Sequence, residues 1–138
     1  MPSPADGTDS KKIVEVARKF GLEASVAEQV TFEELKRALA AGYTPILEIQ
    51  AWPTNEKRPA SWREVWDSGH YVVLTALTDE WAYTMDPSVP ASYTYLPISE
   101  LLDRWHNVDE PVGAPGRPYQ HLAILIHGKN PSRLIRME

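Results

Sequence analysis

The chain has 138 residues, 43% apolar and 24% charged, with a net charge of −5 and no cysteine. At that size and composition a single soluble domain with its own core is expected, burying roughly two-thirds of the surface its unfolded chain would expose. The negative charge argues against non-specific binding to nucleic acid or acidic lipid, and the lack of cysteine excludes disulfides, thiolate metal sites and a thiol nucleophile within this sequence.

Residues 1–7, Met1-Pro2-Ser3-Pro4-Ala5-Asp6-Gly7, read as a flexible lead-in. They carry neither the basic n-region nor the apolar h-region of a secretory signal, and no run in the chain approaches a membrane span, so a cytoplasmic location is expected. A helix follows over about 9–20, capped by Thr8 or Asp9 and stopped by Gly21. Ile13, Val16, Ala17 and Phe20 are expected to form its apolar stripe. Leu22 to Val26 is a short strand. Thr31-Phe32-Glu33-Glu34 fits a capping box and opens a second helix, with Leu35, Ala38 and Leu39 inward and Gly42 after its end. The Glu33/Glu34 and Lys36/Arg37 charges are a solvated helix face. Tyr43 to Gln50 reads as a buried strand, with Pro45 near its start.

Residues 51–67 form a long loop that contains Trp52, Trp62 and Trp66, with a helical turn between Ser61 and Trp66. A loop of that length in a compact domain is functional or disordered, and its aromatic content argues for the former. Tyr71 to Leu77, a turn at Thr78-Asp79-Glu80, and Trp81 to Met85 make a hairpin. Ser92 to Leu96 is another strand. Pro97, at the first helical position, opens a third helix with Ile98, Leu101, Leu102 and Trp105 on one face. A Pro/Gly loop spans about 107–118. Leu122 to Ile126 is the last strand, and 129–138 is a polar tail with Leu134 and Ile135 as its apolar patch. The order of elements predicts an α+β fold with an antiparallel sheet in the second half.

Within the hairpin, His70 starts the first strand and Asp86 ends the second. With an odd-numbered loop near Asp79 the two share a face, about 8 Å apart at most between backbones. An imidazole oriented by a carboxylate is one half of a nucleophilic triad: the carboxylate accepts from one ring nitrogen, and the other nitrogen takes a proton from the nucleophile. The same pair equally serves to tie two strands together. Gly69 leaves room for backbone or substrate to approach.

These residues carry a resemblance. Asp6-Gly7-Thr8-Asp9, the Phe32–Gly42 helix, Tyr43-Thr44-Pro45-Ile46-Leu47 leading to Gln50-Ala51-Trp52, Gly69-His70-Tyr71-Val72-Val73-Leu74, Met85-Asp86-Pro87-Ser88, and Pro97 through His106 follow one another as in the second half of the C39-like peptidase domains. That resemblance covers about residues 6–127. It implies a papain-like cysteine protease fold over 8–128, His70 as catalytic base and Asp86 as the acid that orients it. The family's nucleophile is a cysteine in a Cys-Gly-Pro or Cys-Gly-Ala context at the start of a long helix, with an oxyanion-hole glutamine shortly before it. Both belong upstream of the part resembled here, so the chain is expected to begin too late to contain them. Ser68 and Ser88 do not replace the cysteine, because neither opens a helix.

Three explanations of the absent nucleophile stay open: a late start within a longer peptidase, a degenerate member that binds peptide without cutting it, or a helix supplied by another polypeptide. The resemblance implies thiol-mediated peptide hydrolysis without a cofactor, a chain inactive by itself, and a peptide or protein ligand. Loss of the first helix favours a homodimer or a partner that covers the apolar groove. The alternatives are a non-catalytic peptide-binding or protein-interaction module and a plain structural domain. Trp52, Trp62, Trp66 and Gly69 are candidate substrate-binding residues, although the tryptophans equally serve as anchors for the loop. His106, His121, His70 and Asp86 are candidates for a zinc site, but no two of them have the tight spacing of a metal motif, and no metal is expected. Gln50 ends a strand; it could donate a hydrogen bond in the cleft, but a solvent-facing strand end is expected.

Overall fold

The computed structural model of the chain describes residues 9–51, 61–66, 68–87, 93–109 and 116–128. The lead-in 1–7, Trp52, most of the 51–67 loop, Ser88 and the 129–138 tail lie outside them. Helix α1 runs Ser10–Lys19. Asp9 caps it: its carboxylate accepts from Lys11 N at 2.9 Å, and Arg18 and Lys19 fall at the negative end of the dipole. Gly21 follows at φ +82°, the left-handed conformation that glycine adopts without a Cβ clash. Strand β1 is Leu22–Ala27 and helix α2 is Phe32–Ala40. Thr31 caps α2 by accepting from Glu34 N at 3.1 Å. The Thr31 hydroxyl in turn donates to the Glu34 carboxylate at 3.0 Å, so the carboxylate returns to the hydroxyl of the cap and not to its backbone N–H.

Strand β2 is Thr44–Gln50, and a 3-10 turn spans Trp62–Glu64. Strands β3 (Gly69–Leu77), β4 (Trp81–Met85) and β5 (Tyr93–Pro97) form a meander, followed by helix α3 (Ile98–Arg104). Pro97 closes β5 and caps α3 instead of occupying its first turn. Residues His106–Asp109 (β6) and Arg117–Gln120 (β7) pair as an antiparallel ribbon, where the Pro/Gly composition had suggested only a loop. Strand β8 is Ala123–Gly128. Among the described residues, six strands form one antiparallel sheet in the order β1-β8-β2-β3-β4-β5. The fold is thus α+β, but the sheet draws β1 and β2 from the first half of the chain as well.

The two faces of that sheet differ. Strand periodicity puts Leu47, Ile49, Val72, Leu74, Ala82 and Ala123 on one face, where they pack with Leu35 of α2, Leu101 of α3 and Trp105. Trp105 is wholly buried, donates its indole N–H to Leu122 O at 2.7 Å and stacks on His121. On the second face, α1 sets Val14 and Ala17 against Ala24, Leu122 and Ile124. The expected stripe is therefore shifted: Val14 takes the inward position, and Val16 and Phe20 are exposed.

Candidate functional site

His70 and Asp86 meet. Nε2 of the imidazole lies 2.7 Å from Oδ1 of the carboxylate, and their side chains keep 18% and 10% of their accessible surface. A carboxylate accepts, so the ring donates through Nε2, and in the neutral imidazole this leaves Nδ1 as the basic nitrogen. The chain has thus fixed one tautomer of one ring at the end of the helix-covered face.

The way the two residues reach a common face departs from expectation. Thr78 N donates to Trp81 O at 2.8 Å, so only Asp79 and Glu80 make the loop, an even number. Near the turn Leu77 faces Ala82 and Ala76 faces Tyr83, whereas beyond it Leu74 faces Thr84 and Val73 faces Met85. Thr75 is the extra residue, a β-bulge whose hydroxyl donates to Tyr83 O at 3.0 Å. Continued without the bulge, the turn-side register would set Asp86 opposite Val73, on the face away from His70. The bulge moves Asp86 level with Val72, two residues from His70 and on its side of the sheet.

The strand that carries the histidine is held from its other side. Gln50 lies opposite Gly69, and Ile49 lies opposite His70. Gln50 is fully buried, not solvent-facing. Its amide donates to His106 O (2.9 Å) and Asn107 Oδ1 (3.1 Å) and accepts from Ser68 N (2.8 Å). One side chain thereby ties the end of β2 to the residue before β3 and to the ribbon. Asn107 also donates to the buried carboxylate of Glu48, which accepts from the Tyr119 hydroxyl at 2.5 Å. Gly69 is the point of close approach, but the group that approaches is the Asn107 side chain: a Cβ on Gly69 would stand 3.0 Å from Asn107 Cγ and 3.1 Å from its Oδ1.

Trp62 and Trp66 are both half-buried and seated on the body of the domain. The Arg104 guanidinium lies 4.0 Å from the centre of the Trp62 ring while its Nε donates to Gln50 O. Trp66 packs on the His106 ring with centroids 4.2 Å apart, and His106 Nε2 lies 2.6 Å from Val65 O. His121 turns elsewhere, with Nδ1 3.0 Å from Val30 O and its ring on Trp105. His106 and His121 therefore serve separate contacts. Among the described residues no three His, Asp or Glu side chains gather as a metal cluster. An open groove of about 560 Å³ runs along α1 and β1 between Lys11, Arg18 and Val26; neither His70 nor Asp86 lines it.

Asn107, Glu48 and Tyr119 escaped the reading of the sequence. Glu48 left one signal, a carboxylate inside the apolar run Pro45-Ile46-Leu47-Glu48-Ile49; Asn107 left none. Among the described residues, no helix is long and apolar enough to cross a membrane. No protein-family model matches this chain, and no curated protein matches it either.

Proposed function

We propose that this chain is a peptidase-type domain similar to the C39-like, papain-like cysteine proteases, with His70 as base and Asp86 as the acid that orients it, and that by itself it engages peptide without cleaving it. The observation that carries the reading is the 2.7 Å hydrogen bond from His70 Nε2 to Asp86 Oδ1. It orients the ring and makes Nδ1 the nitrogen able to accept a proton from a nucleophile. The papain-like mechanism needs a thiolate, and none of the 138 residues is cysteine. The base and its orienter are therefore present without the group they activate.

The absence of a thiol also favours a second reading, a non-catalytic module that uses the His70 end of the sheet, with Trp62 and Trp66 beside the same strand ends, to hold peptides. Two assays on the purified chain test whether this site cleaves peptide and whether it holds it. Hydrolysis of a mixed peptide library is expected to stay at the uncatalysed background. Turnover that disappears in His70→Ala would overturn the proposed inactivity. Peptides retained by the wild type are then titrated against His70→Ala and Asp86→Ala. Loss of affinity in both, with unchanged melting temperature, supports engagement at this site, whereas altered stability without altered binding leaves the pair a structural tie.

A further inference from the structure

We propose that the outer edge of β5 is a homodimer interface, in which two copies of this chain pair antiparallel about a two-fold axis at Thr94. Among the described residues β5 is the last strand of the sheet, with its far edge unpaired. Which backbone groups that edge offers follows from one hydrogen bond. Ile98 N donates to Glu80 O at 3.0 Å, directly beyond the Trp81–Pro97 pair. In an antiparallel ladder the bonded pairs alternate, so Leu96–Ala82 and Thr94–Thr84 exchange bonds with β4. The N–H and C=O groups of Tyr93 and Tyr95 therefore point outward.

That spacing complements itself. With the axis at Thr94, Tyr93 of one copy faces Tyr95 of the other twice over, and both are hydrogen-bonded pairs. The junction gains four backbone hydrogen bonds. Pro97 offers no N–H and ends the ladder there. Short of Pro97 the edge lacks two of the usual protections against such pairing: Tyr93-Thr94-Tyr95-Leu96 has no charged residue, and the register with β4 has no bulge.

The side chains agree with that occupant. Tyr93 and Tyr95 are 74% and 68% exposed on the second face and adjoin Trp81, Tyr83 and Met85, which are 37–39% exposed. Trp81 meets Tyr95 edge-on at 5.5 Å. Taking about 200 Å² for a complete side chain of this size, the strip exposes roughly 500 Å² per copy. Pairing at the edge covers only the part of that strip nearest the junction, chiefly at Tyr93 and Tyr95, which falls below the area of a stable specific interface, so the dimer is one that dissociates on dilution. Aligned cross-strand tyrosines on the second face and Thr94 against its own copy on the other leave no unlike pair to satisfy.

The test is molar mass by light scattering over a concentration series of the full chain. The wild type is expected to rise from 15.6 kDa towards twice that value. Tyr93→Lys/Tyr95→Lys and Tyr93→Glu/Tyr95→Glu are each expected to stay at 15.6 kDa, and their equimolar mixture to regain the doubled mass. That rescue shows both variants are folded. Amide exchange at Tyr93 and Tyr95 slows as concentration rises, whereas Thr94 and Leu96 are protected throughout. A wild type that is monomeric at every concentration overturns the proposal, including one that captures an extended peptide on this edge. So do a lysine variant that dimerises like wild type and a mixture that fails to recover.

Discussion

The two faces of one sheet are finished differently. The face under α2 and α3 is sealed: Leu47, Leu74, Ala82, Leu101, Trp105 and Ala123 expose 1% or less, and its polar members, such as Thr84 and the His70–Asp86 pair, engage one another or the backbone. The second face is covered in patches, by α1 over β1 and β8 and by the β6–β7 ribbon over the ends of β2 and β3. Beyond the ribbon the strip from Trp81 to Tyr95 stays open. Burial of apolar area supplies most of the drive to fold, so stability is concentrated under the two helices and the open strip adds little to it. Chemistry with directional demands, the fixed imidazole, sits on the sealed side, where packing holds rotamers in place.

Substitutions test this contrast. The largest effect is expected for Trp105→Ala, which empties the sealed core and leaves Leu122 O without its donor; urea denaturation should show a loss of about 3–5 kcal/mol. An intermediate loss is expected where the ribbon meets the sheet. Gly69→Ala drives a methyl group into the Asn107 side chain and should cost about 1–3 kcal/mol. Combining it with Asn107→Ala should cost less than the sum of the two single changes, because the clash and the hydrogen bonds share one side chain. The smallest effect belongs to the open strip: Tyr83→Thr retains strand propensity and should stay within about 0.5 kcal/mol of wild type in the monomer. A Tyr83 effect as large as that of Trp105 would dissolve the distinction between the faces.

Local rules made much of the architecture legible. The Thr31–Glu34 box, the strands at 44–50 and 81–85, and the inward placement of Leu101 and Trp105 each depend on neighbours a few residues away. What escaped depends on distant partners. The β6–β7 ribbon is short, has Pro118 within it and is fixed by Asn107 and Tyr119 reaching Glu48, about 60 and 70 residues earlier in the chain. Gln50 looked solvent-facing because its partners, His106 and Asn107, arrive from beyond α3. On α1, four apolar residues at helical spacing allowed more than one inward face, and the shape of the β1–β8 surface selected Val14 and Ala17. His70 and Asp86 were legible as a pair, but for a different reason than their shared face suggested: the loop is even, and Thr75 corrects it.

Deleting Thr75 should close the ladder without disturbing it: Ala76 would still face Tyr83, Leu74 would still face Thr84, and the carboxylate would stay level with Val72 on the imidazole's side. What separates the pair is a slip that keeps every residue and straightens the bulge, because Thr75 then takes the place of Leu74 opposite Thr84 and each later position turns over. The extra residue is thus dispensable for the pair, whereas the choice between bulged and straight pairing is not.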